Sequence, residues 1–310
     1  GTVTWIMNGT TPARTTRTYY IYFDTVENGP KTPPNYTGVS SRTSGDYIII
    51  QNERLNATIR YKNDVYLESI RFDRNKNGIF EPNEEMIESS TPYTLLVRVT
   101  DAEALRHDWG DPFFAYSNDE NATVTILRNG SVVQEVKLSN VSLKNRYKEA
   151  LNIDVELTFK MYELNTKLYI KTVLRVSEEL EVGYAYERIF LDNKDLYDEW
   201  YIDETYNGIF SYQVPYRWFF SGVPPYGFVS SYNSSSNAGL AFIPNMRHYS
   251  KISFGEYANE GPALRLSLNA GTWVAGSKIE LENILFAHFG CWSRAREETQ
   301  SVNNPPTFVT

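Results

Sequence analysis

Two pairs of segments in this 310-residue chain alternate apolar and polar side chains across a short turn. In the first pair, residues 123–128 and 131–138 flank Asn129-Gly130, a dipeptide that tolerates the positive φ angles of a type I′ turn. In the second pair, residues 153–162 and 167–176 flank a turn of four residues. Alternation with a period of two gives a strand one buried and one solvated face, so both pairs are predicted to be antiparallel β-hairpins.

Strand-like composition recurs along the rest of the chain. Aromatic residues make up 15% of it, including 23 Tyr, and such side chains suit a pleated, half-buried surface. Helical periodicity is weak and predicts short helical turns only at residues 100–105 and 293–300. The chain is therefore predicted to be all-β, a large antiparallel β-sandwich with a small N-terminal β segment. The further strand candidates are residues 18–23, 47–51, 57–61, 65–72, 93–100, 238–243, 252–254, 264–268 and 279–289.

Composition divides the chain into three parts. Residues 1–45 are predicted to be an N-terminal β segment and a linker, because residues 27–44 are rich in Gly, Pro, Asn, Ser and Thr. Residues 46–300 form the large β-sandwich domain, and residues 301–310 form an extended C-terminal tail containing Asn-Asn-Pro-Pro. The first part is interpreted as the end of a preceding sandwich domain in a longer protein.

From residue 46 onward, the order of features resembles the galactose-mutarotase-like β-supersandwich of carbohydrate-active and cell-surface proteins. The resemblance is carried by Ile50-Gln-Asn-Glu-Arg-Leu-Asn-Ala-Thr-Ile turning into Val65-Tyr-Leu-Glu-Ser-Ile-Arg-Phe-Asp, by the two hairpins, and by Ala238-Gly-Leu-Ala-Phe-Ile-Pro. Members of that fold bind sugars on a concave sheet, and several are non-catalytic partners of a separate catalytic domain. The resemblance thus implies glycan binding, whereas the catalytic residues of its members find no match here.

Net charge and cysteine content narrow the classes of function. A formal net charge of −8 and a pI near 5.1 argue against nucleic acid as a partner. No stretch approaches the roughly 20 apolar residues of a transmembrane helix.

Cys291 is the single cysteine, so an intrachain disulfide is excluded, and the residue is predicted to be a small buried hydrophobe. Walker, dinucleotide and nucleophile-elbow motifs are absent.

Asn-X-Ser/Thr sequons occur seven times, whereas about three or four are expected by chance in a chain of this composition. Each is a competent acceptor for N-glycosylation, which takes place outside the cytoplasm. The enrichment predicts an extracellular or cell-surface glycoprotein in which most of the sequons lie on exposed turns or strand edges. The predicted sites are Asn8, Asn35, Asn56, Asn121, Asn129, Asn140 and Asn233.

Residues 73–84 match the calcium-loop pattern D-x-[DN]-x-[DN]-G-x₅-E at every specified position. Calcium takes six to eight oxygen ligands, and Gly78 permits the sharp turn of such a loop. A strand is predicted before the loop, which indicates an EF-hand-type loop in a β context with a structural role. The alternative is a polar hairpin without metal, consistent with its two basic residues. The predicted Ca²⁺ ligands are Asp73, Asn75, Asn77, the Ile79 carbonyl and Glu84.

Sixteen aromatic residues lie from Tyr184 to Tyr232. Sugars present apolar C–H faces that stack on such rings, but a core crossing or a protein–protein surface has the same composition. The candidates for glycan stacking are Trp200, Tyr201, Tyr216 and Trp218.

Two groups of residues are candidates for catalysis: carboxylates within the aromatic run, for a glycosidase, and the pair His248-Tyr249 beyond it, for a polysaccharide lyase. A glycosidase needs two carboxylates that flank the scissile bond, and a polysaccharide lyase needs a base for a C5 proton. A structural role is the alternative for each of these residues. The catalytic candidates are Glu187, Glu199, Glu204, His248 and Tyr249.

The predicted function is therefore that of a non-catalytic, N-glycosylated extracellular module of a cell surface, filament or array that binds polysaccharide. The alternative is a polysaccharide lyase or glycoside hydrolase acting on an extracellular polysaccharide. The first is favoured because seven glycans would crowd a substrate cleft. One terminus is also expected to pair with another copy or a neighbouring domain by β-strand addition.

Overall fold

A computed structural model describes the chain at residues 38–87, 94–99, 113–114, 122–144, 150–191, 197–202, 206–209, 216–221, 227–245, 249–257 and 261–303. These ranges contain a short 3₁₀ turn (Pro82–Glu84), one α-helix, α1 (Ser293–Asn303), and twenty strands. None of their helices is long and apolar enough to cross a membrane. The strands are β1 (Val39–Ser44), β2 (Tyr47–Asn52), β3 (Leu55–Arg60), β4 (Tyr66–Phe72), β5 (Thr94–Val99), β6 (Phe113–Phe114), β7 (Thr123–Asn129), β8 (Val133–Lys144), β9 (Ala150–Tyr162), β10 (Lys167–Val176), β11 (Leu180–Phe190), β12 (Glu199–Ile202), β13 (Tyr206–Ile209), β14 (Tyr216–Ser221), β15 (Val229–Asn233), β16 (Ala238–Pro244), β17 (Tyr249–Tyr257), β18 (Gly261–Leu268), β19 (Gly271–Trp273) and β20 (Lys278–Phe289).

The strands form two antiparallel sheets. Strands β1-β2-β3-β4 make the smaller sheet, and the larger follows the order β13-β12-β15-β16-β20-β10-β9-β8-β6-β5-β11-β18-β17-β14. Strand β19 joins the larger sheet through β11, and β7 joins it through β8. The protein is thus all-β, as predicted.

The larger sheet folds back on itself to make the sandwich. Trp200 in β12 stacks on Phe254 in β17, with ring centroids 4.8 Å apart and ring planes 8° from parallel. Glu187 in β11 accepts a hydrogen bond from Thr172 in β10 at 2.8 Å. Both contacts join strands that lie far apart in the sheet order, so its two halves face each other across a common apolar core.

The smaller sheet is attached to the turn between β9 and β10. The Asn52 side chain donates to the carbonyls of Tyr162 (2.8 Å) and Asn165 (2.7 Å) and accepts the N–H groups of Arg54 and Leu55. A single buried amide therefore fixes the β2–β3 turn to the larger sheet.

The predicted hairpin strands are present, but one turn differs. Strands β9 and β10 are joined by residues 163–166, and Leu164 takes a positive φ of 58°. Strands β7 and β8 are joined by the three residues 130–132. Neither Asn129 nor Gly130 has a positive φ, so the type I′ prediction is wrong. The last paired residues are Asn129 and Gln134, and a connection of the four residues between them can be built around a type I turn, whose central residues have negative φ.

Three further predictions need correction. Residues 39–44, taken as part of a linker, form β1, whose whole length pairs with β2. Residues 301–303, taken as extended tail, complete the last turn of α1. Cys291 is exposed, not buried, because it lies in the turn that leads from β20 into α1. The strand and helix candidates at residues 18–23 and 100–105 lie outside the described residues.

Candidate functional site

Two of the predicted catalytic residues, Glu187 and Tyr249, contact each other. They lie on neighbouring parts of the half-sheet made by β11, β18 and β17, with side chains directed between the two half-sheets. The Glu187 carboxylate accepts the Tyr249 hydroxyl, the Asn283 amide and, at 2.8 Å, the Thr172 hydroxyl. The Tyr249 hydroxyl also lies 2.5 Å from Asn283 Oδ1.

This buried polar cluster, defined by Thr172, Glu187, Tyr249 and Asn283, is closed to solvent. Glu187 and Thr172 are 0% exposed, and the other two are at most 3% exposed. A polymeric substrate cannot reach the Glu187 carboxylate in this conformation, and catalysis requires a group within hydrogen-bond reach of the substrate. The cluster links the two half-sheets, which is the arrangement that a structural role of Glu187 and Tyr249 predicts.

Of the other catalytic candidates, Glu199 has a different hydrogen-bond partner. Glu199, half-buried in β12, accepts the hydroxyl of Tyr201 on the same strand. Burial and the charge of Glu199 raise the pKa of Tyr201. Glu204 and His248 lie outside the described residues.

The other face of β8, β9, β10, β20, β16, β15 and β12 points away from the sandwich core, and we call it the outer face. Part of it is covered by α1, whose Ala295 is fully buried against Phe228, Ala241, Ile243 and Ile284. The positions Ala295, Thr299 and Val302 recur at helical spacing, which places them on one side of α1. The helix therefore divides the outer face into a covered half and an open half.

A groove of about 390 Å³ runs beside α1 on the open half of the outer face. Such a volume falls within the range of roughly 300–1,000 Å³ that small-molecule sites occupy. Strands β8, β9, β10 and β20 form its floor, and the end of α1 forms one wall. We call it the sheet groove, and the side chains used below are Thr158, Lys160, Tyr169, Lys171, Asn245 and Glu282.

Fixed donors and acceptors line the sheet groove. Lys171 Nζ lies 3.1 Å from Glu280 Oε2 and 3.2 Å from Glu282 Oε1, across the β10–β20 pair. Hydrogen bonds from Lys278 and Lys171 lower the pKa of Glu280 to about 2, so this carboxylate is charged at neutral pH. Because polar and apolar side chains alternate along β10 and β20, the polar ones on the outer face pair with each other across the two strands.

Aromatic rings lie at one side of the same groove. Tyr162 and Tyr169 meet edge to face, with centroids 5.4 Å apart, and Lys160 Nζ lies 5.6 and 5.5 Å from their respective centroids. Burial raises the pKa of Tyr169, and the nearby charge of Glu298 adds to the effect. Rings beside polar groups are the combination that a sugar ring with hydroxyls requires.

The predicted glycan-stacking residues are distributed differently. Trp200 is 4% exposed and stacked on Phe254, so it belongs to the core and cannot stack on a ligand. Tyr201 lies on the outer face and packs near Trp292, which precedes α1. Tyr216 and Trp218 lie in β14, opposite Tyr257 and Gly255 of β17, and their side chains are outside the described set. Sequence reasoning missed Lys160, Tyr169 and Lys171, because alternating polar positions are typical of any solvated strand face.

In the predicted calcium loop, two buried carboxylates accept hydrogen bonds from backbone N–H groups of the loop itself. The Asp73 carboxylate, 1% exposed, accepts the N–H groups of Asn77 (3.2 Å) and Gly78 (3.0 Å). Glu84, 2% exposed, accepts those of Arg74 (2.8 Å) and Glu81 (3.1 Å). Gly78 has a φ of 78°, the left-handed conformation that the pattern requires of it.

The donor chemistry of this loop fits calcium. Asp73, Asn75, Asn77 and Glu84 offer only oxygen acceptors from carboxylates and amides, and Asn75 Nδ2 contacts Glu81, a further carboxylate that the prediction omitted. In the described part of the chain, no three His, Cys, Asp or Glu side chains are grouped closely enough to hold a metal. Amide and carbonyl oxygens, including that of Ile79, would therefore have to complete the ligand set.

Four of the seven sequons lie within the described residues. Asn129 and Asn140 are exposed, the first at the end of β7 and the second in a bulge of β8 with a φ of 60°. Asn233 is half-buried at the turn between β15 and β16. Asn56 is 9% exposed, and its Nδ2 donates to Gln51 at 3.1 Å, so this sequon is not one of the exposed ones. The sequons at Asn8, Asn35 and Asn121 lie outside the described residues.

Sequence comparison finds no matching family model and no matching curated protein. Comparison with solved structures shows that the chain has the fold of galactose mutarotase-like β-sandwiches. A candidate aldose 1-epimerase from Klebsiella pneumoniae shares 10% identity over 86% of this chain and 87% of its own, with a TM-score of 0.55. A galactose mutarotase related enzyme from Lactobacillus acidophilus shares 8% identity over 78% of this chain and 97% of its own, with a TM-score of 0.52.

The same fold occurs within a longer protein. A TPR-domain containing protein from Parabacteroides distasonis shares 10% identity over 81% of this chain, with a TM-score of 0.52. The present chain spans about half of that protein, 51% of its length. At such low identity these likenesses establish the fold and leave the activity open.

Proposed function

We propose that this protein is an extracellular glycoprotein module that binds carbohydrate in the sheet groove without catalysing a reaction. The observation that carries the proposal is the composition of the groove. Lys171 and Glu282, which pair across neighbouring strands, lie in the groove together with the Tyr169 ring. The fold shared with a galactose mutarotase related enzyme supports a sugar ligand. Burial of Glu187 and Tyr249 supports a non-catalytic role.

Binding to a panel of neutral oligosaccharides, measured by calorimetry, tests this proposal. Replacing Lys171 by Ala removes a charged donor from the groove floor and is expected to weaken binding about tenfold. Lys62→Ala is the matched control, because Lys62 lies in the turn between β3 and β4, away from the groove, and its Nζ is 3.7 Å from Asp46 Oδ1. Equal affinities of the two variants would contradict the assignment of the groove. Release of reducing or unsaturated sugars would instead favour the alternative, a glycoside hydrolase or polysaccharide lyase.

Glycosylation is expected to follow the exposure of the sequons. In a host that attaches N-glycans, Asn129, Asn140 and Asn233 should be occupied, because an oligosaccharide must be accommodated outside the packed protein. Asn56 should stay unmodified in the folded protein, since its amide is enclosed between β2 and β4. Peptide mass spectrometry before and after enzymatic deglycosylation measures each site. Occupied Asn56, or three empty exposed sites, would contradict this part of the proposal.

Calcium is proposed as a structural ion of the loop at residues 73–84. A ligand that binds only the native state stabilises it by about 2.7 kcal/mol at a hundredfold excess over Kd. Thermal unfolding is therefore expected at a higher temperature in calcium than in chelator. Asp73→Asn, which keeps the acceptor for the Gly78 N–H, should remove most of this difference, whereas Asp46→Asn in the β1–β2 turn should preserve it. Identical melting of the wild type in both conditions would show that the loop needs no metal.

Assembly through a terminus is also retained as a proposal. The segments that would pair, residues 1–37 and 304–310, lie outside the described part of the chain. Light scattering with and without residues 301–310 tests it. A monomer in both cases would contradict it for the C-terminal end.

A further inference from the structure

A second cavity, of about 420 Å³, lies where the beginning of α1 meets the smaller sheet. Its wall carries three cationic side chains and three phenylalanine rings, with Glu53 as the one carboxylate among the lining residues. This charge is opposite in sign to that of the whole chain, which is −8. We call it the cationic pocket and define it by Arg54, Lys76, Arg294, Phe72, Phe286 and Phe289.

Arg54 is positioned by rings and a carbonyl, not by a carboxylate. Its guanidinium carbon lies 5.5 Å from the centroid of Phe72 and 5.8 Å from that of Phe289. One terminal nitrogen donates to the Asp73 carbonyl at 2.9 Å, while Nε is buried and has no hydrogen-bond partner. Within the described part of the chain this guanidinium has no ion pair.

Lys76 adds a second charge to the same place. Its Nζ lies 5.9 Å from the centroid of Phe289, the ring that Arg54 also contacts. Lys76 belongs to the loop that follows β4 and has a φ of 63°, a conformation that is unfavourable for a residue with a Cβ. Among the described residues it forms neither a hydrogen bond nor an ion pair.

Arg294 completes the cationic side from α1. Its Nη1 contacts Glu297 at 2.9 Å, and this pair is exposed on both sides, so solvent screens it strongly. Three elements distant in sequence therefore bring positive charge to one cavity: the β2–β3 turn, the loop after β4 and the first turn of α1. Placing like charges together is unfavourable, and an anion in the cavity would relieve it.

We propose that the cationic pocket binds a carboxylate-bearing sugar residue, such as a uronic acid unit of an acidic glycan. The carboxylate is the chemistry that Lys and Arg recognise by charge-assisted hydrogen bonds. The half-buried rings of Phe286 and Phe289 supply the apolar surface that the C–H face of a pyranose ring requires. Phe72 is 0% exposed and packs against Phe289, with ring centroids 4.9 Å apart. This site lies apart from the sheet groove and does not depend on the proposal made for the groove.

Calorimetric titration with trigalacturonic acid tests the proposal, with maltotriose and inorganic sulfate as comparison ligands. We expect trigalacturonic acid to bind more tightly than either, and its affinity to fall as ionic strength rises. Lys76→Gln is expected to weaken its binding about five- to tenfold. Lys62→Gln, which removes the same charge from the turn between β3 and β4, should leave this binding unchanged.

Three results would overturn the proposal. The first is absence of uronate binding by the wild type. The second is sulfate or maltotriose binding as tightly as the uronate, which would indicate a simple anion site or a site for neutral sugar. The third is an equal loss in Lys76→Gln and Lys62→Gln, which would show only the effect of overall charge. Because Lys76 is exposed, its variants should fold, and an unchanged thermal unfolding midpoint verifies this.

Discussion

Replacing Glu187 by alanine is expected to lower the free energy of unfolding by about 3–5 kcal/mol, because three buried polar groups lose a hydrogen-bond acceptor. The carboxylate is 0% exposed and accepts hydrogen bonds from Thr172, Tyr249 and Asn283. Its removal leaves these polar partners without that acceptor in the core, where each loss costs about 1–3 kcal/mol. Chemical denaturation monitored by tryptophan fluorescence measures the change.

Glu282→Ala provides the matched control for this experiment. Glu282 lies in β20 beside Asn283, but its side chain is 53% exposed and pairs with Lys171 on the outer face. Its loss should change the free energy of unfolding by less than about 0.5 kcal/mol. A Glu187→Ala effect as small as that of the control would contradict a structural role. Loss of an enzymatic activity in Glu187→Gln, with stability retained, would instead point to catalysis.

Local patterns were sufficient for the hairpin of β9 and β10. Each strand has one face in the core and one face on the outer surface, so alternation in the sequence maps directly onto the structure. Strands β11 to β15 were not predicted as strands, because the aromatic run has no clean alternation. Trp200 and Phe254 are both core residues although they lie 54 positions apart, and only the folding of the sheet brings them together.

The position of the functional candidates depends on long-range packing. Asn283, Ile284 and Leu285 are consecutive in β20 and all buried, because the core covers one face and α1 covers the other. No local pattern distinguishes the buried Asn283 from a solvated polar residue. The same holds for Arg54 and Lys76, whose common ring, Phe289, is more than 200 residues away in the chain.

The second prediction with a large expected effect concerns His288 and the pH dependence of the free energy of unfolding. His288 is 3% exposed, its Nδ1 lies 3.0 Å from the Gly290 carbonyl, and its Nε2 lies 3.3 Å from the Ser230 hydroxyl. The carbonyl can only accept, so Nδ1 carries a proton, and the Ser230 hydroxyl can donate to Nε2 when the ring is neutral. Packing is tight, since a Cβ at Gly239 would lie 2.7 Å from His288 Cε1.

Burial lowers the pKa of His288 from 6.5 to about 4, and the charge of Arg294 contributes in the same direction. The unfolded chain binds a proton below about pH 6.5, whereas the native protein does not until about pH 4. The stability contributed by the neutral ring is therefore complete above pH 6.5 and is lost as the pH falls to 4. With 1.36 kcal/mol for each pKa unit, the loss amounts to about 3 kcal/mol.

The comparison of the wild type with His288→Asn isolates this contribution, because every other titrating group is common to both proteins. Asn retains a donor for the Gly290 carbonyl but does not titrate. The variant is expected to be less stable at pH 7, since it leaves space beside Gly239, and the difference from the wild type should shrink by about 3 kcal/mol between pH 6.5 and pH 4. Denaturation curves at half-unit intervals of pH measure it. Parallel stability profiles would mean that His288 takes up its proton equally well in the folded and unfolded states, which is incompatible with a ring enclosed by Ser230, Gly239 and Gly290.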